Sequence, residues 1–204
     1  MAVHHARWLP HRDHAVPPAD QPPRDLAGQG RLTPAAARVV AGARLVMSFL
    51  FLWAFLDKTF GFGYLTPPAR AWINGGSPTM GFLKGVNVGP LESTFRSWAG
   101  AAWADWLFML GLLGIGLALL SGIALRITAV CGTIMLALMW AAEWPPAKHL
   151  SDGSPSMSTN PVVDYHVVEA VLLIVLAAVG AGNTWGLGRV WASLPLVRNH
   201  PWLR

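Results

Sequence analysis

Four apolar runs constrain the fold of this chain more than any other feature of its sequence. They extend over residues 39–56, 106–122, 127–142 and 162–181. About 20 apolar residues in a helix are enough to cross the hydrocarbon core of a bilayer, which is about 30 Å thick. Lipid supplies no hydrogen-bond partners, so a crossing segment must pair its own backbone groups and is therefore helical. We expect an all-α integral membrane protein built as a four-helix bundle.

The chain carries few charges for its length. Charged residues make up 12% of it, against about 25% in a typical soluble domain. The formal net charge is +5, but the lysines and arginines flank the apolar runs and form no basic stripe with interleaved aromatic residues. We therefore expect contact with membrane lipid and no binding of nucleic acid.

The N-terminal region is rich in proline. Residues 1–37 contain few large apolar side chains, which predicts a disordered cytoplasmic tail. Thr33-Pro34 is typical of a helix start, with Thr33 as the cap. The four spans then make one transmembrane domain over residues 38–190, and residues 191–204 form a cytoplasmic C-terminal tail.

The connections between the runs differ greatly in length. Residues 57–105 form a long, partly helical first extracytoplasmic loop, and its last part, residues 91–105, has the spacing of an amphipathic interfacial helix. Only residues 123–126 separate the second and third runs, so these two helices form an antiparallel hairpin. Asn160-Pro161 predicts the start of the fourth helix.

Small residues mark one stripe of the second run, at Gly114, Ala118 and Gly122. Small side chains at four-residue spacing let helix backbones approach each other closely in lipid. We therefore expect a close helix contact along this stripe.

The distribution of positive charge predicts the orientation in the membrane. Nine lysines and arginines lie on the side of the two termini and five on the opposite side. The nine are Arg7, Arg12, Arg24, Arg31, Arg38, Arg126, Arg189, Arg198 and Arg204, and the five are Lys58, Arg70, Lys84, Arg96 and Lys148. Because the more positive side stays in the cytoplasm, we expect a multi-pass protein of the plasma (inner) membrane with both termini cytoplasmic.

Ionisable side chains inside the apolar runs are the first candidates for function, because each costs about 2.5–3.5 kcal/mol near the centre of a membrane helix. Arg44 lies in the first run, close to its start. We expect its long side chain to reach back to the lipid headgroups. The alternative is that it contacts an anion or a quinone.

Glu169 is the more informative residue. It lies about 10 Å into the fourth run by helical rise, which is too deep for a carboxylate to reach the headgroups. His166 precedes it by three residues and shares its helix face. Asp57 and Lys58 end the first run, and Glu143 ends the third, at a similar height. These five residues predict an outward polar cluster, and they are the candidates for binding a cofactor.

Two interpretations of this cluster are open. It is either an ion-pair network that fixes the helix packing, with Lys58 as the cation, or a proton-linked pocket for a polar headgroup. In the second case Glu169 and His166 are the candidate catalytic residues.

No metal site and no covalently bound cofactor are expected. The histidines of the N-terminal tail are His4, His5, His11 and His14. A disordered tail offers no defined ligand geometry, so we expect these histidines to have no metal-binding role. Haem needs two facing ligands within the membrane, and only His166 is placed for one. The one cysteine, Cys131, excludes dithiol chemistry by this chain alone.

Several segments together point to a known family. The stretch LVMSFLFLWAFLDK, residues 45–58, ends an apolar helix in Asp-Lys. A hairpin with a Gly-rich first half covers residues 111–142, and residues 166–188 run from a histidine to GNTWGLG. With the long first loop around residues 72–83, these segments resemble the DoxX/DoxD family of four-helix membrane proteins over roughly residues 38–190. The long loop is similar to that of the DoxD-like branch.

The resemblance implies a role in membrane redox chemistry. DoxD resembles the quinone-reducing subunit of thiosulfate:quinone oxidoreductase, so the family implies quinone as the cofactor and a DoxA-like subunit or another redox protein as the partner. Asp57 and Lys58 are the only residues that it carries over. We expect a redox-associated subunit that binds quinone and takes electrons from a small sulfur substrate such as thiosulfate, or from a partner.

Whether this chain is itself an enzyme is left open by the sequence. The alternative function is a non-catalytic membrane scaffold that anchors a redox or stress-response complex. A small transporter is disfavoured, because the runs show no inverted repeat and no broken helices. The sequence is also compatible with an oligomer.

Overall fold

The computed structural model describes residues 32–203, so most of the predicted N-terminal tail lies outside the described residues. Over the described range the chain is predominantly helical and has no β-strand. The helices are α1 (Pro34–Phe60), α2 (Met80–Gly85), α3 (Glu92–Trp98), α4 (Ala102–Ser121), α5 (Leu125–Glu143), α6 (Tyr165–Ala178), α7 (Gly188–Ser193) and α8 (Pro195–Asn199). Three of them, α1, α4 and α5, are long and apolar enough to cross a membrane.

The start of α1 confirms the predicted cap. The Thr33 hydroxyl accepts a hydrogen bond of 3.2 Å from the backbone N–H of Ala36, and Pro34 is the first helical residue. The helix ends at Gly61, whose φ of +69° is the left-handed conformation that closes a helix without strain in glycine. Helix α1 therefore extends beyond the apolar run at both ends.

Helices α4 and α5 form the predicted hairpin. They are joined by residues 122–124 and pack against each other. Gly122, with a φ of +73°, ends α4 and turns the chain. This hairpin places the end of α5, at Glu143, on the same side as the start of α4.

The fourth apolar helix is shorter than predicted. The Asn160 side chain accepts hydrogen bonds of 2.9 Å from the N–H groups of Val162 and Val163, which forms a turn instead of a helix start. Asp164 is the cap in its place, and it accepts from the N–H of Val167 at 3.1 Å. The resulting helix α6 has 14 residues, about 21 Å by helical rise, which is less than the hydrocarbon thickness.

The predicted interfacial helix over residues 91–105 is also shorter. Helix α3 ends at Trp98, Gly100 has a φ of +83°, and the residues from Ala102 onward belong to α4. The buried face of α3 is Phe95, which lies in a small apolar cluster with Leu83, Val86, Ala104 and Ala142. The long first connection is therefore packed onto the ends of α4 and α5.

The main core lies between the four longest helices. Helix α1 packs along α4, and α5 packs along both α4 and α6. The buried core residues include Met47, Phe51, Met109, Leu112, Ile115, Leu119, Ala129, Leu136, Leu173 and Leu176. The opposite faces of the same helices expose large apolar side chains, including Val46, Phe49, Leu107, Leu110, Leu117, Val130, Ile134, Val171 and Ile174. Such an apolar exterior suits lipid rather than water.

The stripe of small residues on α4 is not the helix contact that its spacing predicts. Gly114 is exposed, and a Cβ there would meet nothing within 4 Å. The close approach is instead at Gly116, where a Cβ would lie 2.7 Å from the Leu52 side chain and whose carbonyl accepts from the Ser48 hydroxyl at 2.9 Å. Gly122 does make a close contact, but its neighbour is Gly182 in the turn after α6.

Candidate functional site

A polar cluster lies where the end of α5 meets the start of α6. We call it the α5–α6 cluster, and it consists of Glu143, Asp164, Tyr165 and His166. The Tyr165 hydroxyl donates a hydrogen bond of 2.8 Å to Glu143 Oε1 across the two helices. Asp164 Oδ2 lies 2.9 Å from His166 Nδ1, while Oδ1 caps α6. Asp164, the N-cap residue of α6, thus orients the imidazole of His166.

His166 is the most buried polar group of the cluster. Its exposed fraction is 1%, and its Nε2 atom has no hydrogen-bond partner within the described part of the chain. A buried polar atom without a partner costs about 1–3 kcal/mol, so proteins rarely keep one without a use. The pairing of Nδ1 with a carboxylate fixes the ring orientation and leaves Nε2 for another molecule.

Glu169 lies three residues after His166 and is partly buried. Among the described residues its carboxylate forms no hydrogen bond and no ion pair, and Lys58 in particular does not pair with it. The Lys58 ammonium lies instead 5.8 Å from the centre of the Phe108 ring, close enough for a cation–π contact. The sequence predicted Lys58 as the counter-ion of Glu169, and the structure does not contain this ion pair.

Asp57 has a structural role. It is 3% exposed, and its carboxylate accepts backbone hydrogen bonds from Leu65 at 3.0 Å and Thr66 at 2.9 Å, with a longer one from Tyr64. These contacts hold the first turn of the long connection against the end of α1. Of the five residues predicted to form one cluster, the structure brings Glu143 and His166 together. Glu169 lies on the next turn of α6. Among the described residues, no hydrogen bond or ion pair links Asp57 or Lys58 to these three.

Sequence reasoning missed three of the important polar residues. Asp164 and Tyr165 belong to the α5–α6 cluster, and the signal for Asp164 was its position two residues before a histidine at a helix start. Asp105, on the first turn of α4, is buried and accepts from the Thr79 hydroxyl at 2.6 Å and the Ser77 hydroxyl at 2.9 Å. Asp105 therefore anchors the second part of the long connection, as Asp57 anchors the first.

Arg44 does not reach for the lipid headgroups. It is fully buried, and its guanidinium donates to the carbonyl oxygens of Leu119 and Leu120, at the end of α4, and to that of Trp185. The last carbonyls of a helix have no partner within the helix, so a buried cation at this end satisfies them. The glycines around Arg44 leave space for its side chain, since a Cβ on Gly186 would lie 3.2 Å from the guanidinium. Arg44 is thus a structural residue that ties α1, α4 and the segment after α6 together.

The donor atoms of the α5–α6 cluster also have a metal-compatible spacing. One atom each from Glu143, Asp164 and His166 lie within 4.8 Å of one another. The imidazole is buried and the Glu143 side chain is exposed, so these three residues extend from the protein interior to its surface. The four tail histidines lie outside the described residues.

Comparison of this chain with protein-family models, with curated proteins and with solved structures gave no match.

Proposed function

We propose that this chain is a four-helix membrane protein of the DoxX type, in the plasma membrane, with both termini cytoplasmic. Helix α6 is the fourth, short span in this proposal. It is apolar, packs along α5, and exposes Val168, Val171 and Ile174 on its outer face. The apolar run continues beyond α6 through a turn to Ala181, the first residue of a short 3-10 helix, which adds length toward the cytoplasmic face.

The proposed activity is the binding of a quinone headgroup at the α5–α6 cluster, as part of a membrane redox complex. The observation that carries this proposal is the buried Nε2 of His166, which has no partner among the described residues, in a ring that lies beside Tyr165, Asp164 and Glu143. A quinone is a flat, largely apolar molecule with two carbonyl acceptors, so it enters from lipid and needs few polar partners. An imidazole at the end of a membrane helix offers one such partner.

The Asp164–His166 pair suits both redox forms of the ligand. When Nδ1–H is donated to Asp164, neutral Nε2 accepts a hydrogen bond from a hydroquinone hydroxyl. When the ring is protonated, Nε2–H donates to a quinone carbonyl, and Asp164 stabilises the positive charge. Reduction of the quinone takes up two electrons and two protons, and His166 and Glu169 are the candidate proton carriers. The electrons come from a small sulfur substrate such as thiosulfate, or from a DoxA-like or other redox partner.

Quinone binding by the purified protein tests the proposal. The full chain is solubilised in mild detergent and titrated with a short-chain ubiquinone, and tryptophan fluorescence quenching is followed. We expect His166→Ala to weaken binding at least ten-fold and Tyr165→Phe to weaken it less. His149→Ala is the matched control, because His149 is exposed and lies outside the cluster. Equal binding by the parent and by both cluster variants would refute the quinone site.

A second candidate function is a non-catalytic scaffold for a redox or stress-response complex. It is favoured by the use of Asp57, Asp105 and Arg44, which all hold connecting segments onto the helices. Purification with a partner protein, in a complex that survives His166→Ala and binds no quinone, would support the scaffold over the redox subunit.

A further inference from the structure

Glu143, Asp164 and His166 have the chemistry of a metal-binding set. Two carboxylates and one imidazole are ligands that suit divalent transition metals such as Zn²⁺ and Mn²⁺. Two ligand atoms on one such ion lie about 3 Å apart at right angles, given bonds of about 2.0–2.2 Å. Asp164 Oδ2 and His166 Nδ1 are 2.9 Å apart and share a hydrogen bond, so an ion would replace the shared proton and the carboxylate would turn off the Nδ1 axis to admit it. Glu143 lies within 4.8 Å and is exposed, so a small rotation of its side chain about the Tyr165 hydrogen bond closes the remaining distance.

We propose that Glu143 and Asp164, with Nδ1 of His166, bind a divalent transition-metal ion at the junction of α5 and α6. This inference goes beyond the proposed quinone site and does not depend on it. It differs from the expectation from the sequence that the chain has no metal site.

The surroundings of these residues support a site rather than a chance grouping of acids. The Tyr165 hydroxyl holds Glu143 Oε1, and metal-binding carboxylates are commonly oriented by such a hydrogen bond. The His166 ring is 1% exposed and its Nδ1 edge is set against Asp164, so the ring is already held in position. Glu143, at the other side of the site, gives an ion a route from water. Water molecules complete the coordination, since residues 32–203 supply only three protein ligands.

A metal on Nδ1 also fixes the position of the ring proton. The ion replaces the proton that Nδ1 shares with Asp164, so the remaining ring proton is on Nε2. Nε2 is then only a hydrogen-bond donor, so the hydroquinone-accepting role proposed above belongs to the metal-free protein.

The test is metal binding by the full chain without a polyhistidine tag. His4, His5, His11 and His14 are replaced by alanine in every sample, so that the tail cannot bind the probe. The metal-depleted protein is titrated with Co²⁺, whose visible absorption reports inner-sphere coordination, and competition with Zn²⁺ gives the affinity of the second ion. We expect one Co²⁺ per chain, displaced by Zn²⁺.

The variants decide between this site and adventitious binding. Glu143→Gln and Asp164→Asn should each weaken Co²⁺ binding by about 10–100-fold, and His166→Ala should abolish the visible bands. Asparagine still caps α6, so Asp164→Asn tests the ligand without removing the cap. His149→Ala and Asp152→Asn, two exposed changes in the same connection, are the controls and should bind like the parent.

Folding is checked by the thermal midpoint in metal-free buffer. If His166→Ala does not fold, Glu143→Gln decides the question, because it lies at the surface. The absence of stoichiometric Co²⁺ binding, or equal binding by Glu143→Gln and the parent, would overturn the metal site. Because no quinone is present in this titration, its outcome is independent of the quinone experiment.

Discussion

The guanidinium of Arg44 donates a hydrogen bond of 2.8 Å to the backbone carbonyl of Trp185, which lies 141 residues further along the chain. The same side chain binds the carbonyls of Leu119 and Leu120 at the end of α4. One residue of the first helix thus satisfies helix-end carbonyls that have no partner in their own helix.

We predict that Arg44→Met lowers the stability of the detergent-solubilised protein by about 3 kcal/mol or more. Hydrogen bonds from a charged donor are worth about 1.5–3 kcal/mol each, and the acceptor carbonyls, of which that of Leu119 is buried, would lose this donor. Thermal unfolding followed by intrinsic fluorescence measures the change. Arg38→Met is the matched control, since Arg38 is exposed on the same helix. Equal midpoints for the two variants would show that the buried contacts of Arg44 contribute nothing.

We predict that Gly182→Ala is strongly destabilising and that Gly114→Ala is neutral or slightly stabilising. A Cβ on Gly182 would lie 1.9 Å from the carbonyl oxygen of Gly122, whereas one on Gly114 would meet nothing within 4 Å. In addition, alanine favours a helix over glycine by about 1 kcal/mol. Thermal midpoints in one detergent compare the two variants. The opposite order would contradict the packing of the turn after α6 on the end of α4.

We predict that Asp57→Ala frees the first part of the long connection while the helices stay folded. The Asp57 carboxylate accepts hydrogen bonds from the backbone N–H groups of residues 64–66, and alanine removes this acceptor. Hydrogen exchange should rise over residues 61–66 by at least ten-fold and remain unchanged in the core of α4. Asp152→Asn is the control, because its hydrogen bonds stay within its own turn. Unchanged exchange over residues 61–66 in Asp57→Ala would show that other contacts hold this turn.

We predict that the C-terminus and the connection between α5 and α6 lie on opposite sides of the membrane. The charge asymmetry predicts a cytoplasmic C-terminus, and α6 is the fourth crossing in the proposed topology. Reporter fusions after residue 204 and within residues 147–158 should give opposite signals. The same signal from both would mean that α6 does not cross the bilayer.

The sequence alone determined the helical class and the location of the apolar helices. Hydropathy and length are local properties, so α1, α4 and α5 could be predicted from the apolar runs, and Thr33-Pro34 predicted the start of α1 correctly. The short link predicted at residues 123–126, and found at 122–124, was enough to predict the hairpin, because a connection of that length leaves no other arrangement.

Only the tertiary structure decided what the polar residues do. Arg44, Asp57 and Asp105 find backbone or hydroxyl partners in other segments, and no sequence spacing indicates which carbonyl or N–H group a side chain will meet. The same holds for the α5–α6 cluster, where Glu143 was expected but its partner Tyr165 was not. A buried charge must be satisfied somewhere, which the sequence does predict. The partner depends on how helices far apart in the chain pack, and that packing sets Arg44 against Trp185.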